Sequence, residues 1–414
     1  MLVGHVESLL DEVLGFSAPA DTVTSRYFRS HPELGHRDRG FIAEAVFCVL
    51  RRKLEFAQFS QSGQGPQNKR LAILGLAYTV GIEALTAAAG VRETDWLRGL
   101  LNIDRTTLAF EIRCNMPGWL IQALRTRLAD DEIWKLAEAL NRPAPLDLRV
   151  NALKMGRDEA LAAIQAAGFG AAPTPCSPLG VRLEGKPALQ HMALFNDGTV
   201  EVQDEGSQLL AHLLAPRRGE MVIDFCAGAG GKTLALGALM RNTGRLYAMD
   251  ISAKRLAKLK PRLARSGLSN VHPVELDSEV DPKLKRMLGK ADRVLVDAPC
   301  SGLGTLRRNP DLKWRQTPAT VAEMNAKQRA ILASAARLVK PGGRLVYATC
   351  SLLNEENVNI VNAFLAATPQ FTRLNAGEVL AAQQIVVSTG VDLELWPHRH
   401  GTDGFYAAVL ERQA

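Results

Sequence analysis

Residues 221–233 read MVIDFCAGAGGKT, and this stretch decides the fold of the C-terminal half of the chain. Its apolar start is typical of a buried strand, and the glycine-rich turn that follows leads into a predicted helix. Glycines let the backbone of such a turn approach a ligand closely, and the start of the helix offers free N–H groups. The stretch therefore predicts a ligand site at the end of a strand.

Two common nucleotide-binding motifs do not match this turn. A phosphate-binding loop needs a glycine six residues before the lysine, where this chain has Cys226. The dinucleotide pattern that begins at Gly228 needs a glycine where this chain has Thr233. The ligand must therefore be inferred from the elements that follow.

Strands and helices alternate from about residue 206 onward, which predicts a parallel sheet covered by helices on both faces. The later strands are predicted in GRLYAMDIS, VHPVEL, DRVLVDAP, GRLVYATCS and FYAAVLER. Ligands of such sheets bind at the carboxyl ends of the strands. Asp250, Asp277 and Asp297 stand at the ends of three successive strands, although each alone would also suit a helix cap.

Acidic residues at successive strand ends, after a glycine-rich first turn, suit a nucleoside with a polar tail. S-adenosylmethionine matches, with its ribose at Asp250, its adenine near Asp277 and its methionine part over the glycine loop. Lys232 would meet the methionine carboxylate, unless it is a surface lysine of the first helical turn. The predicted cofactor-binding residues are Cys226, Ala227, Gly228, Ala229, Gly230, Gly231, Lys232, Asp250, Asp277 and Asp297.

The chain has six cysteines and no CxxC pair, which argues against a zinc site or a disulfide framework. We predict no metal site, because His398 and His400 lack a third ligand of suitable spacing. Cys300 and Cys350 each follow a strand of the predicted sheet and so face the same crevice as the glycine loop. The alternative is that both are small buried residues, the usual state of a free cysteine.

A thiolate is useful to a methyltransferase that acts on C5 of cytosine, because this carbon is a poor nucleophile. Addition of sulfur to C6 turns the ring into an enamine, which divides one difficult step into two easier ones. The adduct must then lose its C5 proton and the sulfur, so a base is needed. Asp297, three residues before Cys300, would hold the N3/N4 edge of the cytosine.

The segments DFCAGAGGKT, MDIS, DAPCSGLGTLRRNPD, YATCS and GTDGFYAAVLER together resemble the RNA cytosine-5 methyltransferase family, especially its bacterial ribosomal-RNA branch. The resemblance covers about residues 145–414. It implies that Cys350, in the TC motif, is the nucleophile and that Cys300, in the PC motif, assists product release. DNA cytosine methyltransferases use the PC cysteine instead. The family's usual loop reads CAAPGGKT, so Gly228 and Ala229 are a departure that removes a rigid turn.

The resemblance implies an α/β protein with a Rossmann-like class I methyltransferase domain at residues 206–414. A small α/β RNA-binding subdomain at 143–205 precedes it, with LRVN and VQDEGSQ as its matching segments. Residues 1–142 have apolar residues at helical spacing throughout and loosely resemble an all-helical NusB-like domain that binds RNA or serves as a scaffold.

Charge supports a nucleic-acid partner. Residues 1–142 hold 17 basic and 17 acidic residues, so the net charge of +7 belongs to residues 143–414. A basic excess favours a polyanion such as RNA, although a solvated surface would also explain it. No stretch is apolar enough for a membrane span and no signal peptide is apparent, so we expect a cytoplasmic protein, and a monomer.

A long loop follows the PC motif and contains Arg307, Arg308, Lys313 and Trp314. These residues would contact phosphates and stack on a base. The alternative is that the arginines are solvated and Trp314 is a packing anchor.

Three other functions remain open. A methyltransferase for small molecules or proteins would not need two thiols beside the cofactor. A non-catalytic RNA-binding assembly factor would be expected to have lost Cys350 or the glycine loop. Transfer RNA is the alternative substrate, and the helical N-terminal part favours ribosomal RNA, most simply 16S-type RNA.

Overall fold

The computed structural model describes residues 2–89 and 93–414. The chain divides into two compact units. The first, which we call the helical unit, contains Met1–Pro143 and Thr305–Pro318, and the second, the sheet unit, contains Ala144–Gly304 and Ala319–Ala414. In the described ranges, every helix is too short or too polar to cross a membrane.

The helical unit is built from amphipathic helices whose apolar faces meet in one core, with Leu9, Ile42, Val46 and Leu74 among its fully buried residues. A left-handed Gly81 separates the fifth helix from the sixth, so LAILGLAYTVGIEAL forms two helices. The helices are α1 Leu2–Val13, α2 Ala20–Ser30, α3 His36–Arg51, α4 Lys53–Phe59, α5 Gln67–Val80, α6 Ile82–Ala89, α7 Thr94–Leu101, α8 Phe110–Cys114, α9 Gly118–Arg125 and α10 Asp130–Leu140. A 3₁₀ turn spans Arg105–Thr107.

Residues 305–318 belong to this helical unit although they follow the PC motif in sequence. The Lys313 ammonium is fully buried and donates to the Arg51 carbonyl at 2.9 Å and to Asn141 Oδ1 at 2.8 Å. Trp314 Nε1 donates to the Leu50 carbonyl at 2.8 Å. For Trp314 the structure supports the alternative of a packing anchor, and for Lys313 an RNA contact is wrong, because its buried side chain attaches this segment to the helices.

The small sheet of the sheet unit is antiparallel, with strand order β2-β3-β1-β4. It contains the segments LDLRVN, VRLEG and TVEVQ. Its elements are β1 Leu146–Val150, α11 Arg157–Ala166, β2 Ala171–Pro173, β3 Gly180–Leu183, α12 Ala193–Asn196 and β4 Val200–Val202, with a 3₁₀ turn at Leu189–His191.

The large sheet has the order β10-β12-β9-β8-β5-β6-β7, and β11 pairs with β12. Successive residues of one strand face opposite cores, as Val222 and Ile223 do. This confirms that helices cover both faces of the sheet. Its strands are β5 Met221–Asp224, β6 Arg245–Asp250, β7 Val271–Glu275, β8 Ala291–Asp297, β9 Val339–Thr349, β10 Phe371–Leu374, β11 Leu393–Leu395 and β12 Phe405–Arg412. Its helices are α13 Glu205–Leu214, α14 Gly231–Leu239, α15 Ala253–Ser266, α17 Pro318–Ala336, α18 Val358–Ala367, α19 Ala376–Ala381 and α20 Pro397–His400, while α16 Leu312–Arg315 lies in the helical unit. Further 3₁₀ turns span Pro282–Met287, Leu303–Thr305 and Asn354–Glu356.

The prediction of a wholly parallel sheet is wrong at one side. Strands β5 to β9 are parallel, but β12 runs antiparallel to β9, β10 and β11. Residues 396–404, with only the four-residue helix α20, join β11 to β12. A parallel pair needs a longer crossover connection, so these two strands pair as neighbours of opposite direction.

The three-part division at residues 142 and 205 stays a prediction. The structure places the small sheet and the large sheet in one compact unit and adds residues 305–318 to the helices.

Replacement of Lys313 by alanine should destabilise the protein by about 2–4 kcal/mol, because the Arg51 carbonyl and the Asn141 amide oxygen would lose their shared buried hydrogen-bond donor. Urea unfolding followed by circular dichroism measures this change. Lys69→Ala, which removes an exposed lysine from α5 of the same unit, is the matched control and should change stability by less than about 0.5 kcal/mol. Equal stability of the two variants would contradict the role of Lys313.

Candidate active site

A cavity of about 480 Å³ lies at the carboxyl ends of β5, β8 and β9 in the sheet unit. Both predicted thiols and the glycine loop border it, as expected for a ligand site of an open α/β sheet. Its lining residues are Val202, Gln203, Asp204, Ser207, Asp224, Cys226, Ala227, Gly228, Ala229, Gly231, Lys232, Arg255, Arg262, Asp297, Ala298, Pro299, Cys300 and Cys350.

The glycine loop turns sharply between β5 and α14. The Ala227 N–H donates to the Met249 carbonyl of β6, and the Gly230 N–H donates back to the Ala227 carbonyl, both at 2.8 Å. Gly230 has a φ of +81°, and a Cβ atom there would lie 2.2 Å from Leu259 Cδ1. The position therefore requires glycine, both for its backbone conformation and for the close approach of α15.

Side chains from three elements hold this loop in place. The Gly228 N–H donates to Asp250 Oδ2 at 2.8 Å, and the carbonyls of Ala229 and Gly231 accept from Arg262 and Arg149, each at 2.7 Å. The loop conformation is thus fixed by charged partners on β6, α15 and β1.

The sequence analysis did not identify Arg149 and Arg262. Their common neighbourhood is formed by the small sheet, where the buried Glu201 carboxylate of β4 accepts from Arg262 and Arg265 of α15 at 2.8–3.1 Å. The sequence signal was the presence of charged residues inside the strands LDLRVN and TVEVQ, since a buried charge in a strand needs a partner. The small sheet therefore stabilises the cofactor loop directly.

S-adenosylmethionine fits this cavity by the chemistry of its lining. The loop supplies a close backbone approach and the start of a helix, and the buried Asp224 carboxylate has one oxygen, Oδ1, without a hydrogen-bond partner in the structure. Polar cofactor groups suit such a lining. The predicted loop residues and Lys232 would hold the methionine part of the cofactor.

The two aspartates predicted to bind the nucleoside, Asp250 and Asp277, differ in burial. Asp250 is buried and accepts hydrogen bonds from the Gly228 and Ser252 N–H groups and from Arg255, at 2.8–3.0 Å. Asp277 is exposed and lies two residues beyond β7. Both lie outside the set of described residues that line the cavity. A direct cofactor contact for either aspartate stays a prediction.

The two predicted thiols lie side by side. Cys300 Sγ is 3.4 Å from Cys350 Sγ, a hydrogen-bond distance for sulfur. The hydrogen bond to Cys350, together with burial, raises the pKa of Cys300 well above its ordinary value. The two sulfur atoms thus share one hydrogen bond, in which either can be the donor.

Lys232 supplies positive charge to the same place. Its ammonium donates to Asp297 Oδ2 at 2.6 Å. Burial acts to lower the pKa of Lys232, but the charge and hydrogen bond of Asp297, with smaller contributions from Asp224 and Cys350, raise it. Lys232 is thus a fixed cation that interacts with both Asp297 and Cys350, a role the sequence analysis did not assign to it.

Glu356 connects the loops that carry the two cysteines, and the sequence analysis missed it. This fully buried carboxylate accepts from the Ser301 N–H at 2.8 Å and from the Ser301 and Ser351 hydroxyls. Gln328 of α17 donates to it at 3.0 Å. Because Ser301 follows Cys300 and Ser351 follows Cys350, one carboxylate positions both thiols.

The GTDGF segment completes the cysteine loops. The Gly304 N–H donates to the Cys350 carbonyl, and the Gly404 N–H donates to the Gly304 carbonyl, both at 2.8 Å. A Cβ at Gly304 would lie 2.1 Å from the Gly404 carbonyl oxygen. The backbones approach too closely for a side chain, which explains glycine in both segments.

The two histidines considered for a metal both lie beside Trp396, and the His398 ring packs edge-on against the Trp396 ring with 6.0 Å between centroids. His400 Nδ1 accepts from the Trp396 N–H at 2.9 Å, at the end of the short helix α20. Across the described ranges no three His, Cys, Asp or Glu side chains are grouped as metal ligands.

Replacement of Glu356 by glutamine should lower kcat for methyl transfer by roughly 10- to 100-fold, because small displacements of reacting groups are costly. In the wild type, the Ser301 N–H and the hydroxyls of Ser301 and Ser351 donate to the Glu356 carboxylate. In the variant, the glutamine NH2 group would face some of these donors and could not accept from them. A change in the pH profile of Cys350 alkylation should accompany the loss, which a purely structural role would not produce. Glu355→Gln removes the exposed neighbouring carboxylate and is the matched control; the same loss in both variants would disprove the assignment.

Burial raises the pKa of Asp224 to about 7. The unfolded chain releases this proton near pH 4, so the folded state binds the extra proton between about pH 4 and 7, and stability falls as the pH rises through this window. The difference in melting temperature between Asp224→Asn and the wild type should therefore increase in favour of the variant from pH 4 to 7. Above pH 7 this difference should stay constant. Asp277→Asn, an exposed carboxylate of the same unit, is the control; a constant difference between Asp224→Asn and wild type would refute the prediction.

Comparison with protein families gives two matches. The model described as 16S rRNA methyltransferase RsmB/F matches residues 211–411. A model for the ferredoxin-like domain of RsmF/B-like methyltransferases matches residues 116–190. The second match begins before the predicted boundary at residue 143.

Two curated relatives align with nearly all of the chain. The probable ribosomal RNA small subunit methyltransferase B of Synechocystis sp. is 33% identical and covers 95% of this chain and 95% of its own length. The ribosomal RNA small subunit methyltransferase B of Shewanella oneidensis is 35% identical over 90% of this chain and 91% of its own.

Solved structures show the same fold. The crystal structure of the protein PH0851 is 27% identical, with a TM-score of 0.78 over 99% of this chain and 98% of that chain. A methyltransferase homolog protein from Pyrococcus horikoshii is also 27% identical, with a TM-score of 0.63 over 75% of this chain and 100% of that chain.

Proposed function

Because this chain belongs to the RsmB/F family of ribosomal RNA small-subunit methyltransferases, we propose that it methylates C5 of a cytosine in 16S-type ribosomal RNA through a covalent bond from Cys350 to C6 of the base. S-adenosylmethionine is its cofactor. The observation that carries the proposal is the pair of sulfur atoms 3.4 Å apart at the edge of the cavity that the glycine loop lines.

The two cysteines have different roles in the proposed reaction. The hydrogen bond to Cys350 and burial raise the pKa of Cys300 well above its ordinary value, which favours the thiol form of Cys300. Lys232 adds a positive charge that attracts the Cys350 sulfur when it is ionised. We therefore assign the addition to C6 to Cys350, which is the role that the TC motif implies.

Asp297 is placed to bind the target base. One carboxylate oxygen accepts from Lys232, and the side chain is about one-third exposed to the cavity, so its second oxygen is available for the N4 amino group of a cytosine. The hydrogen bond from Lys232 fixes the orientation of the Asp297 carboxyl group. A cytosine held this way would present its C6 to the two sulfur atoms.

The reaction then follows from bonds made and broken on the base. Attack of the Cys350 thiolate forms the S–C6 bond and moves the ring electrons to C5. When bound, S-adenosylmethionine supplies the electrophilic methyl group that C5 takes. A base removes the C5 proton, the C5–C6 double bond forms again, and the S–C6 bond breaks to release Cys350 as a thiolate. The Cys300 sulfur, 3.4 Å from the leaving sulfur, is positioned to assist this last step.

The test is a pair of cysteine variants, assayed on 16S-type RNA with a labelled methyl group. Cys350→Ala should lose transfer and form no covalent complex. Cys300→Ala should accumulate a protein–RNA adduct that resists denaturant, because addition proceeds and release does not. Bisulfite sequencing of the product RNA identifies the carbon and the base that are modified.

Cys48→Ala removes a thiol of the helical unit and is the matched control, expected to retain transfer and to form no stable adduct. An adduct in Cys350→Ala would exchange the roles of the two cysteines. Transfer to a position other than C5 of cytosine would overturn the proposed reaction.

A further inference from the structure

The helical unit contains a cavity of its own, of about 410 Å³. We propose that this cavity binds one unpaired nucleotide of the RNA substrate, outside the base that is methylated. It is lined by Arg52, Tyr78, Arg105, Arg113, Trp134, Glu138, Asn141 and Arg142, which we call the arginine pocket. Its volume lies within the roughly 300–1,000 Å³ of pockets that hold small ligands.

The arginine pocket concentrates positive charge in a segment that has no net charge. Four guanidinium groups line it against one carboxylate, Glu138, whereas residues 1–142 hold equal numbers of basic and acidic residues. When a segment without net charge has several cations clustered in one cavity, the cavity has a positive potential and attracts anions. The lining therefore favours a ligand that carries at least one negative charge.

Two of these arginines already have an acidic partner, and two do not. Glu55 accepts from Arg52 at 2.9 Å and from Arg105 at 2.7 Å. Within the described part of the chain, no carboxylate is close enough to form an ion pair with Arg113 or Arg142. Their guanidinium groups can therefore pair with a ligand phosphate without breaking an existing ion pair.

Aromatic rings stand beside the same guanidinium groups. Arg113 lies over the Trp134 ring at 4.9 Å from its centroid, and Arg52 lies over the Tyr78 ring at 5.1 Å. Both rings are partly exposed. Unpaired bases stack on aromatic rings and on guanidinium planes, so cation and ring together match the phosphate and the base of a nucleotide. An acidic peptide would use the charge but not the rings.

The pocket is preformed. Asn141 donates to the Cys114 carbonyl at 3.1 Å and accepts from the buried Lys313 at 2.8 Å. Asn115 Oδ1 accepts from the Glu55 N–H at 3.1 Å, which fixes the end of α8 next to Arg113. A site whose walls are already held costs little ordering when a ligand binds.

The inference rests on the RNA substrate of the proposed function, but its test requires no methyl transfer. The probe is a fluorescent short oligouridine, which contains no cytosine, and binding to the full chain is followed by fluorescence anisotropy. Arg113→Ala/Arg142→Ala should weaken binding by about 10-fold or more and lower the slope of log Kd against log salt by about 1 to 2. Trp134→Ala should weaken binding by roughly 5- to 100-fold and leave this slope unchanged.

The matched control is Arg29→Ala/Arg98→Ala, which removes two exposed cations from the same unit. Trp134→Tyr should retain binding, and photo-crosslinking of thiouridine-containing RNA should label peptides with Trp134 or Tyr78. An equal loss in the control pair, or equal competition by an acidic peptide, would overturn the proposal. If pocket variants lose oligouridine binding while the wild type makes no 5-methylcytosine, only the proposed reaction fails.

Discussion

The parallel pairing of β8 with β9 is the constraint on which the active site depends. Asp297 is opposite Ala348 in this register, and the Ala298 N–H donates to the Ala348 carbonyl at 2.8 Å, so the ladder continues past the end of β8. The next residues of each strand carry Cys300 and Cys350. Strand pairing therefore brings together two thiols that are 50 positions apart in the chain, and their sulfur atoms lie 3.4 Å from each other.

Charge then distinguishes the two thiols. Glu356 ties the serines that follow them into one buried network, and Lys232 interacts with both Asp297 and Cys350. A buried carboxylate is stable in such a place only because every donor around it is used. The same network makes the loops rigid, and the hydrogen bond to Cys350 together with burial raises the pKa of Cys300 well above its ordinary value.

The small sheet and the helical unit each use arginine in a different way. In the sheet unit, Arg149 and Arg262 donate to carbonyls of the glycine loop, so the β4 carboxylate Glu201 indirectly supports the cofactor site. In the helical unit, Arg113 and Arg142 line a cavity and form no ion pair with a described carboxylate. Partnered arginines stabilise a loop, whereas arginines without a carboxylate leave a site for an anion.

The sequence by itself determined the alternation of strands and helices from β5 to β9, the glycine turn and the positions of the two thiols, because these depend on local periodicity and on residues with few conformational alternatives. The short strands β10 and β11 were not predicted. The covered large sheet was predicted correctly, but the direction of β12 was not, since strand direction depends on the length and course of a connection and not on the strand's own residues.

Only the tertiary structure decided which distant side chains meet. Lys313 and Trp314 were candidates for RNA contact from their place after the PC motif, yet they attach their segment to α3 of the helical unit. Glu356 lies in no motif, and Arg149 lies in the LRVN segment but was given no role, because a buried charge acquires its role from partners far away in the sequence. The local sequence pattern determines where a helix or strand begins and ends. Long-range hydrogen bonds and ion pairs determine the role of the residues at those ends.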